Sequence, residues 1–341
     1  MKSTVIGLDL AKTVFHYVNV DASGKPLGKR ELSRTQMIRH FSNMEPSRIA
    51  MEACGSSHYW ARTLTAMGHT AELLPPQFVK PYLRGQKNDF NDAKAIGLAS
   101  IAGGIRPVEI KSEAQQIDIA YQTARSLVSR QRTAQGNHIR GLLAEFGIAV
   151  RTGFKPLREK LCELTDVGST LAPRLKSLLA DEYEHLCELD QRLEWHDREV
   201  KRTAKESVRC QALIEMPGIG PVVSVALVNW FGDAKQYKRG RDAAAALGLV
   251  PSQHSSGGKS RLGKISKRGD SFTRCQIVHG ARAAVRAAAN KDDNLSRWIQ
   301  ALVERRGVNK ATVALANKLV RIAWAILATG CCYEQKLAAK V

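Results

Sequence analysis

Gly85-Gln86-Lys87-Asn88-Asp89-Phe90-Asn91-Asp92-Ala93-Lys94-Ala95-Ile96 carries two carboxylates three residues apart, where a polar turn becomes an apolar helix. At helical spacing Asp89 and Asp92 share one face of the first turn. Acidic groups at a helix start are favoured by the helix dipole, so a well-capped helix is the plain alternative. Two further carboxylates change the reading. Asp9 follows the apolar run Val5-Ile6-Gly7-Leu8, and Glu52 follows Ile49-Ala50-Met51, so each acid ends a short stretch that reads as a buried strand. A buried carboxylate with neither a cation nor a donor costs on the order of several kcal/mol. Two acids from strand ends and two from a helix start form the oxygen-rich set that a pair of divalent metals needs.

The chain of 341 residues, 44% of them hydrophobic, is long enough for two or three domains with real cores. No apolar run approaches the roughly twenty residues of a bilayer span, and the N-terminus lacks a charged lead-in followed by an apolar stretch, so a cytosolic protein is expected. The seven cysteines are scattered and form no C-x-x-C pair. That pattern suggests neither a disulfide framework nor a zinc site. A net charge of +20 does nothing for the fold and usually answers a polyanion. Membrane-surface binding would ask for basic amphipathic helices with bulky apolar anchors; basic loops and helix faces point to nucleic acid instead.

In chain order, Val5 to Leu10, Val14 to Val20 and a third piece ending near Ser33 read as a three-strand meander. Helix, strand, helix and strand follow over Thr35 to Met44, Ile49 to Glu52, Ser56 to Met67 and Thr70 to Leu74. The expected product is a mixed sheet covered by helices, with functional groups at strand ends. From Ser112 to Glu206 the texture becomes long helices, and Leu179, Tyr183, Leu186, Leu189, Leu193, His196 and Val200 form a stripe suited to a helical hairpin or coiled-coil arm. Pro217-Gly218-Ile219-Gly220 between two apolar segments has the pattern of a helix-hairpin-helix, whose glycines let backbone amides approach phosphate. A tight structural turn is the alternative. Helix Arg241 to Leu249 then leads into a flexible loop, residues 250–270. There Ser255-Ser256-Gly257-Gly258 stands beside Lys259, Arg261, Lys264, Lys267 and Arg268, a setting for phosphate and for an activated serine. Residues 271–289 and 308–328 read as two helices that cover this loop from behind.

The order Gly-Leu-Asp9-Leu-Ala-Lys, Met-Glu52-Ala-Cys-Gly, Asn-Asp89-Phe-Asn-Asp92-Ala, Pro217-Gly-Ile-Gly and Ser255-Ser256-Gly-Gly-Lys-x-Arg-Leu-Gly-Lys-Ile-Ser-Lys-Arg-Gly resembles the DEDD transposases of insertion-sequence family one-ten, subgroup eleven-eleven. The resemblance covers nearly the whole chain. It implies an α/β plus α architecture: an RNase H-like, RuvC-like domain over residues 1–110, a helical linker and coiled-coil arm over 111–206, and a mainly helical C-terminal transposase domain over 207–341 with a helix-hairpin-helix-like segment. It further implies that Asp9, Glu52, Asp89 and Asp92 bind magnesium, with manganese as the alternative. A serine would attack the DNA backbone to give a covalent phosphoserine intermediate. The serine followed by glycine in the family pattern falls on Ser256, with Ser255 as the alternative. Lys259, Arg261, Lys264, Lys267, Arg268, Gly218 and Gly220 are the candidate nucleic-acid contacts. Implied partners are donor and target double-stranded DNA, a structured noncoding guide RNA encoded in the element (a bridge RNA), and further copies of the chain as a homodimer assembling to a homotetramer. The implied setting is the bacterial cytoplasm, at the nucleoid when acting. Two rivals remain: a RuvC-like junction-resolving nuclease that uses metal and water only, and a non-catalytic nucleic-acid-binding protein whose acids are helix caps.

Overall fold

The computed structural model describes residues 4–333 except Lys87 and Val167. Lys87 of the opening stretch and residues 334–341 of the third region thus lie outside the described residues. The chain divides into two compact units, Met1–Gln116 and Ile117–Val341.

The first unit contains β1 (Val5–Asp9), β2 (Val14–Val20), β3 (Pro26–Ser33), α1 (Arg34–Ser42), β4 (Arg48–Glu52), α2 (Ser57–Ala66), β5 (Thr70–Leu74), the short helix α3 (Pro76–Val79) and α4 (Asp89–Ala102). The strands form one sheet in the order β3-β2-β1-β4-β5. β1 to β3 are an antiparallel meander, while β4 runs parallel to β1 and β5 parallel to β4. The expected mixed sheet is therefore present and is compatible with an RNase H-like domain. Alternation along each strand sorts side chains to two faces. Ile6, Leu8, Phe15, Tyr17, Ile49 and Met51 pack with Met37 and Phe41 of α1 and Trp60 and Leu64 of α2. Val5, Val18, Val20 and Ala50 pack on the opposite face with Ala93, Ile96 and Ala99 of α4. By the same parity Asp9, His16 and Glu52 belong to the α4 face.

α4 lies unusually close to the sheet because glycine meets glycine. A methyl group on Gly7 would lie 2.5 Å from the Gly97 nitrogen and closer still to the Ala93 carbonyl oxygen, and one on Gly97 would lie 2.8 Å from Val20 Cγ2. The helix starts at Asn88, whose Oδ1 accepts from the backbone N–H groups of Phe90 and Asn91.

The second unit holds α5 (Glu113–Glu145) from Ile117 onward, α6 (Phe154–Thr165), α7 (Pro173–Glu206), α8 (Val208–Ile214), α9 (Pro221–Phe231), α10 (Gly240–Ala246), β6 (Pro251–Gln253), β7 (Leu262–Ile265), α11 (Ser271–Ala288), α12 (Asn294–Arg306) and α13 (Val308–Thr329). α5 and α7 pair antiparallel through Arg125 with Asp197, Arg132 with Asp190, and Gln135 with Glu182. Ile139, Leu143, Leu157, Leu161, Leu179 and Leu186 form their shared core with α6. Asp190 also takes an ion pair from Arg158, and Arg132 lies 3.6 Å over the Phe154 ring. A larger core gathers α8 to α13 around Leu227, Phe231, Ile277, Leu315 and Leu319.

Two sequence expectations need correction. Residues 250–270 are not a plain flexible loop, because β6 and β7 pair antiparallel and Ser256 bridges Lys259. A further helix, α12, stands between the two expected ones; Asp293 caps it, accepting from the N–H groups of Leu295 and Ser296. α13 is long and apolar enough to cross a bilayer by length and composition. That apolarity has a local use: Leu315, Ala316, Leu319, Val320 and Ala323 are buried in the α8–α13 core.

Candidate metal centre and serine hairpin

β1 and β4 are parallel and in register at Leu8 and Met51, so Asp9 and Glu52, one residue on, stand side by side at neighbouring strand ends. Asp89 and Asp92 descend on them from the first turn of α4. Oxygens of Asp9, Asp89 and Asp92 come within 4.8 Å of one another. Glu52 lies outside that trio yet is close enough to act on Asp9 electrostatically. Burial, then Asp92, Asp89 and Glu52 in turn, push the Asp9 carboxyl up to about 6, against a smaller pull from His16. Burial and Asp92 likewise raise Glu52, which Lys80 opposes. Crowded carboxylates that raise one another's pKa are a poor arrangement for stability and a good one for a hard divalent cation. Their donor chemistry fits magnesium or manganese.

His16 was missed by sequence reasoning. It pairs with Asp9 across β1 and β2, its Nδ1 lies 3.6 Å from Asp89 Oδ2, and its Nε2 lies 3.4 Å from Glu31 Oε2. Its ring meets Phe90 edge-on at 4.8 Å. The available signal was strand parity: Phe15 and Tyr17 flank it on the apolar face, which sends His16 to the side of the acids.

In the second unit, Gly257 and Gly258 both take positive φ, +54° and +75°, and the Lys259 N–H donates to the Ser256 carbonyl at 3.0 Å. This is the tight hairpin turn that glycine pairs favour. The two serines differ in what their hydroxyls do. Ser255 Oγ accepts from Gln253 Nε2 at 2.8 Å and from the Arg261 N–H at 3.3 Å, which ties it into the hairpin. Ser256 sits exposed at the turn, and its hydroxyl has no hydrogen-bond partner among the described residues. Lys259, Arg261, Lys264, Lys267 and Arg268 are solvent-facing, and no carboxylate is within ion-pair reach of them among the described residues. Lys267 adopts φ 54°, uncommon for a side chain that carries Cβ, and donates its N–H to the Gly248 carbonyl. Arg274 of α11 donates to the carbonyls of Leu247 and Arg268, and Asn317 of α13 to that of Leu249. The two helices thus hold the hairpin by its base.

The Pro217–Gly220 turn joins α8 to α9. Gly218 takes φ +78° and leaves no room for Cβ, because the Gly280 carbonyl of α11 fills that place. Gly218 therefore has a packing reason of its own, whereas Gly220 faces open space.

Residues 6–148 match the DEDD transposase family of IS110, and residues 210–296 match the family described as Transposase IS116/IS110/IS902. The chain is 45% identical to a probable family 20 transposase of Pseudomonas aeruginosa, over 98% of this chain and 99% of that one. It is 40% identical to the transposase for insertion sequence element IS1111A of Coxiella burnetii, over 95% and 89%. A transposase for insertion sequence element IS1328 from Yersinia enterocolitica is 35% identical over 97% and 99%. With both family segments matched and near full-length likeness to these relatives, the chain belongs to the IS110 family of DEDD transposases and is a DNA transposase.

Proposed function

We propose that this transposase cuts and exchanges DNA strands through a covalent link to Ser256, using a divalent cation held by Asp9, Asp89 and Asp92 with Glu52 alongside. The observation that carries the reading is the meeting, within 4.8 Å, of three carboxylates brought by two elements, β1 and α4. When bound, a divalent cation supplies charge neutralisation at the scissile phosphate. The protein's own residues do the rest. The Ser256 hydroxyl oxygen forms a bond to phosphorus, the bond from phosphorus to one strand end breaks, and that end leaves as a free hydroxyl. Lys259 and Arg261 neutralise the charge that develops on the non-bridging oxygens. The Ser255 hydroxyl, occupied by two donors, keeps the hairpin in shape, and this favours Ser256 over Ser255 as nucleophile. Resealing reverses the step: a strand-end hydroxyl attacks phosphorus and releases the serine, so bond energy is conserved and no nucleotide cofactor is consumed.

The charge of +20 suits duplex DNA together with a folded RNA. We extend the proposal to an element-encoded guide RNA that pairs with donor and target DNA, and to a tetramer built from dimers acting at the nucleoid in the bacterial cytoplasm. On this reading base pairing selects the sequence, and the protein reads mainly backbone. The test is cleavage of an end-labelled element junction by Ser256→Ala. The proposal expects neither cleavage nor a protein-linked product. Full cleavage by the variant would establish a nuclease that uses metal and water alone.

A further inference from the structure

The second unit also holds three cations, on α10 and α13, where mutual repulsion and burial argue against placing them. Lys318 and Arg321 are three residues apart on one face of α13. Lys318 is only 9% exposed, and its Nζ lies 5.2 Å over the ring of Trp298 from α12. Trp298 is itself 37% exposed, so this pair opens to the surface. α10 packs against α13 at Arg321, where the Cβ place of Gly240 lies 3.0 Å from the Arg321 Cα, and this brings Arg241 beside Arg321. No carboxylate pairs with Lys318, Arg321 or Arg241 among the described residues.

Three clustered cations without an acid repel one another, and a largely buried lysine adds a desolvation cost. Burial and Arg321 hold the Lys318 ammonium below its ordinary range, and burial and Arg241 do the same to Arg321. Such an arrangement is stabilised by an anion between the cations. Lys318 and Arg321 lie beyond both family-matched segments, which end at residues 148 and 296.

We infer that Lys318, Arg321 and Arg241, with Trp298 as the floor beneath Lys318, form a binding site for the phosphodiester backbone of duplex DNA, built from residues other than the serine hairpin's own cations. Arg321 and Arg241 grip phosphate oxygens, and Lys318 supplies a point charge from its aromatic seat. The site contributes affinity without sequence choice.

The test is duplex DNA binding by fluorescence anisotropy over a salt series, using the full chain and the Lys318→Gln, Arg321→Gln double variant. The plot of log affinity against log salt should flatten by about 0.9 for each phosphate that the variant no longer neutralises, equally for every sequence tried. Lys318→Arg should keep the wild-type slope. Lys318→Met should melt no lower than wild type, because it removes an unpaired buried charge. Should the double variant fail to fold, the exposed Arg241→Gln carries the same slope test. An unchanged slope and affinity would overturn the inference, as would weakened binding confined to structured RNA. Ser256→Ala should bind DNA with the wild-type slope, so failure of the cleavage chemistry and failure of this site are told apart.

Discussion

Replacing Gly7 with alanine tests how the metal centre is positioned without touching a carboxylate. The added methyl would lie 2.5 Å from the Gly97 nitrogen, where ordinary contact begins at 3.4 Å, with the Ala93 carbonyl closer still. α4 must therefore retreat from β1 by about an ångström, carrying Asp89 and Asp92 away from Asp9. Overpacking of this kind costs about 1–3 kcal/mol of stability, which a unit of this size can survive. A displacement of about 1 Å in a catalytic constellation is worth about a hundredfold in rate. The assay is single-turnover cleavage of the element junction beside thermal melting with and without magnesium, whose binding to the folded protein raises stability by mass action. Gly7→Ala should cleave about a hundredfold more slowly and forfeit most of the metal-induced rise in Tm. Gly28→Ala, whose Cβ meets nothing within 4 Å, should match wild type in both. A folded Gly7→Ala protein with the wild-type rate and metal response would refute the claim that this glycine contact sets the acid geometry.

The acids also predict a pH dependence. Asp9 is raised from 3.8 to about 6 in the folded protein, so the native state holds its proton more tightly than the unfolded chain, and metal-free stability should fall as pH rises across that window. Asp9→Asn should remove this fall and melt higher than wild type at about pH 7 without metal; identical melting profiles for the two proteins would contradict it. Metal stabilisation of the wild type should shrink as pH drops below about 6, because the cation competes with the Asp9 proton, and titration calorimetry at several pH values checks this. In the helical arm, burial raises Asp190 but hydrogen bonds from Arg158 and Arg132 outweigh it and hold the carboxyl below its usual range. Asp190→Ala should cost about 1.5–3 kcal/mol in denaturant unfolding, because it strands both guanidinium groups at once.

Most of the first unit was legible because each signal is local. The apolar residues of Val14 to Val20 give a strand packed on both faces, and Asn88 ahead of Asp89 gives a helix start. Even the facing of Asp9 and Glu52 follows from strand parity. What the sequence hid depends on partners far along the chain. Gly7 reads as an ordinary small residue until the distant Gly97 is seen against it. His16 acquires its place from antiparallel register with Asp9 and from Phe90 on another element. The stretch from Ser255 to Lys259 reads as flexible because glycine pairs serve linkers and tight hairpins alike, and only pairing between β6 and β7 decides which.

The point at which DNA becomes attached to the protein is the decisive observable. Reaction with an element junction under magnesium, quenching in denaturant, digestion and tandem mass spectrometry should yield one nucleotide-bearing peptide, with the phosphodiester on Ser256, absent when Asp9 and Asp92 are both changed to Asn. Strand cleavage that depends on those acids yet leaves Ser256 unmodified throughout would contradict it.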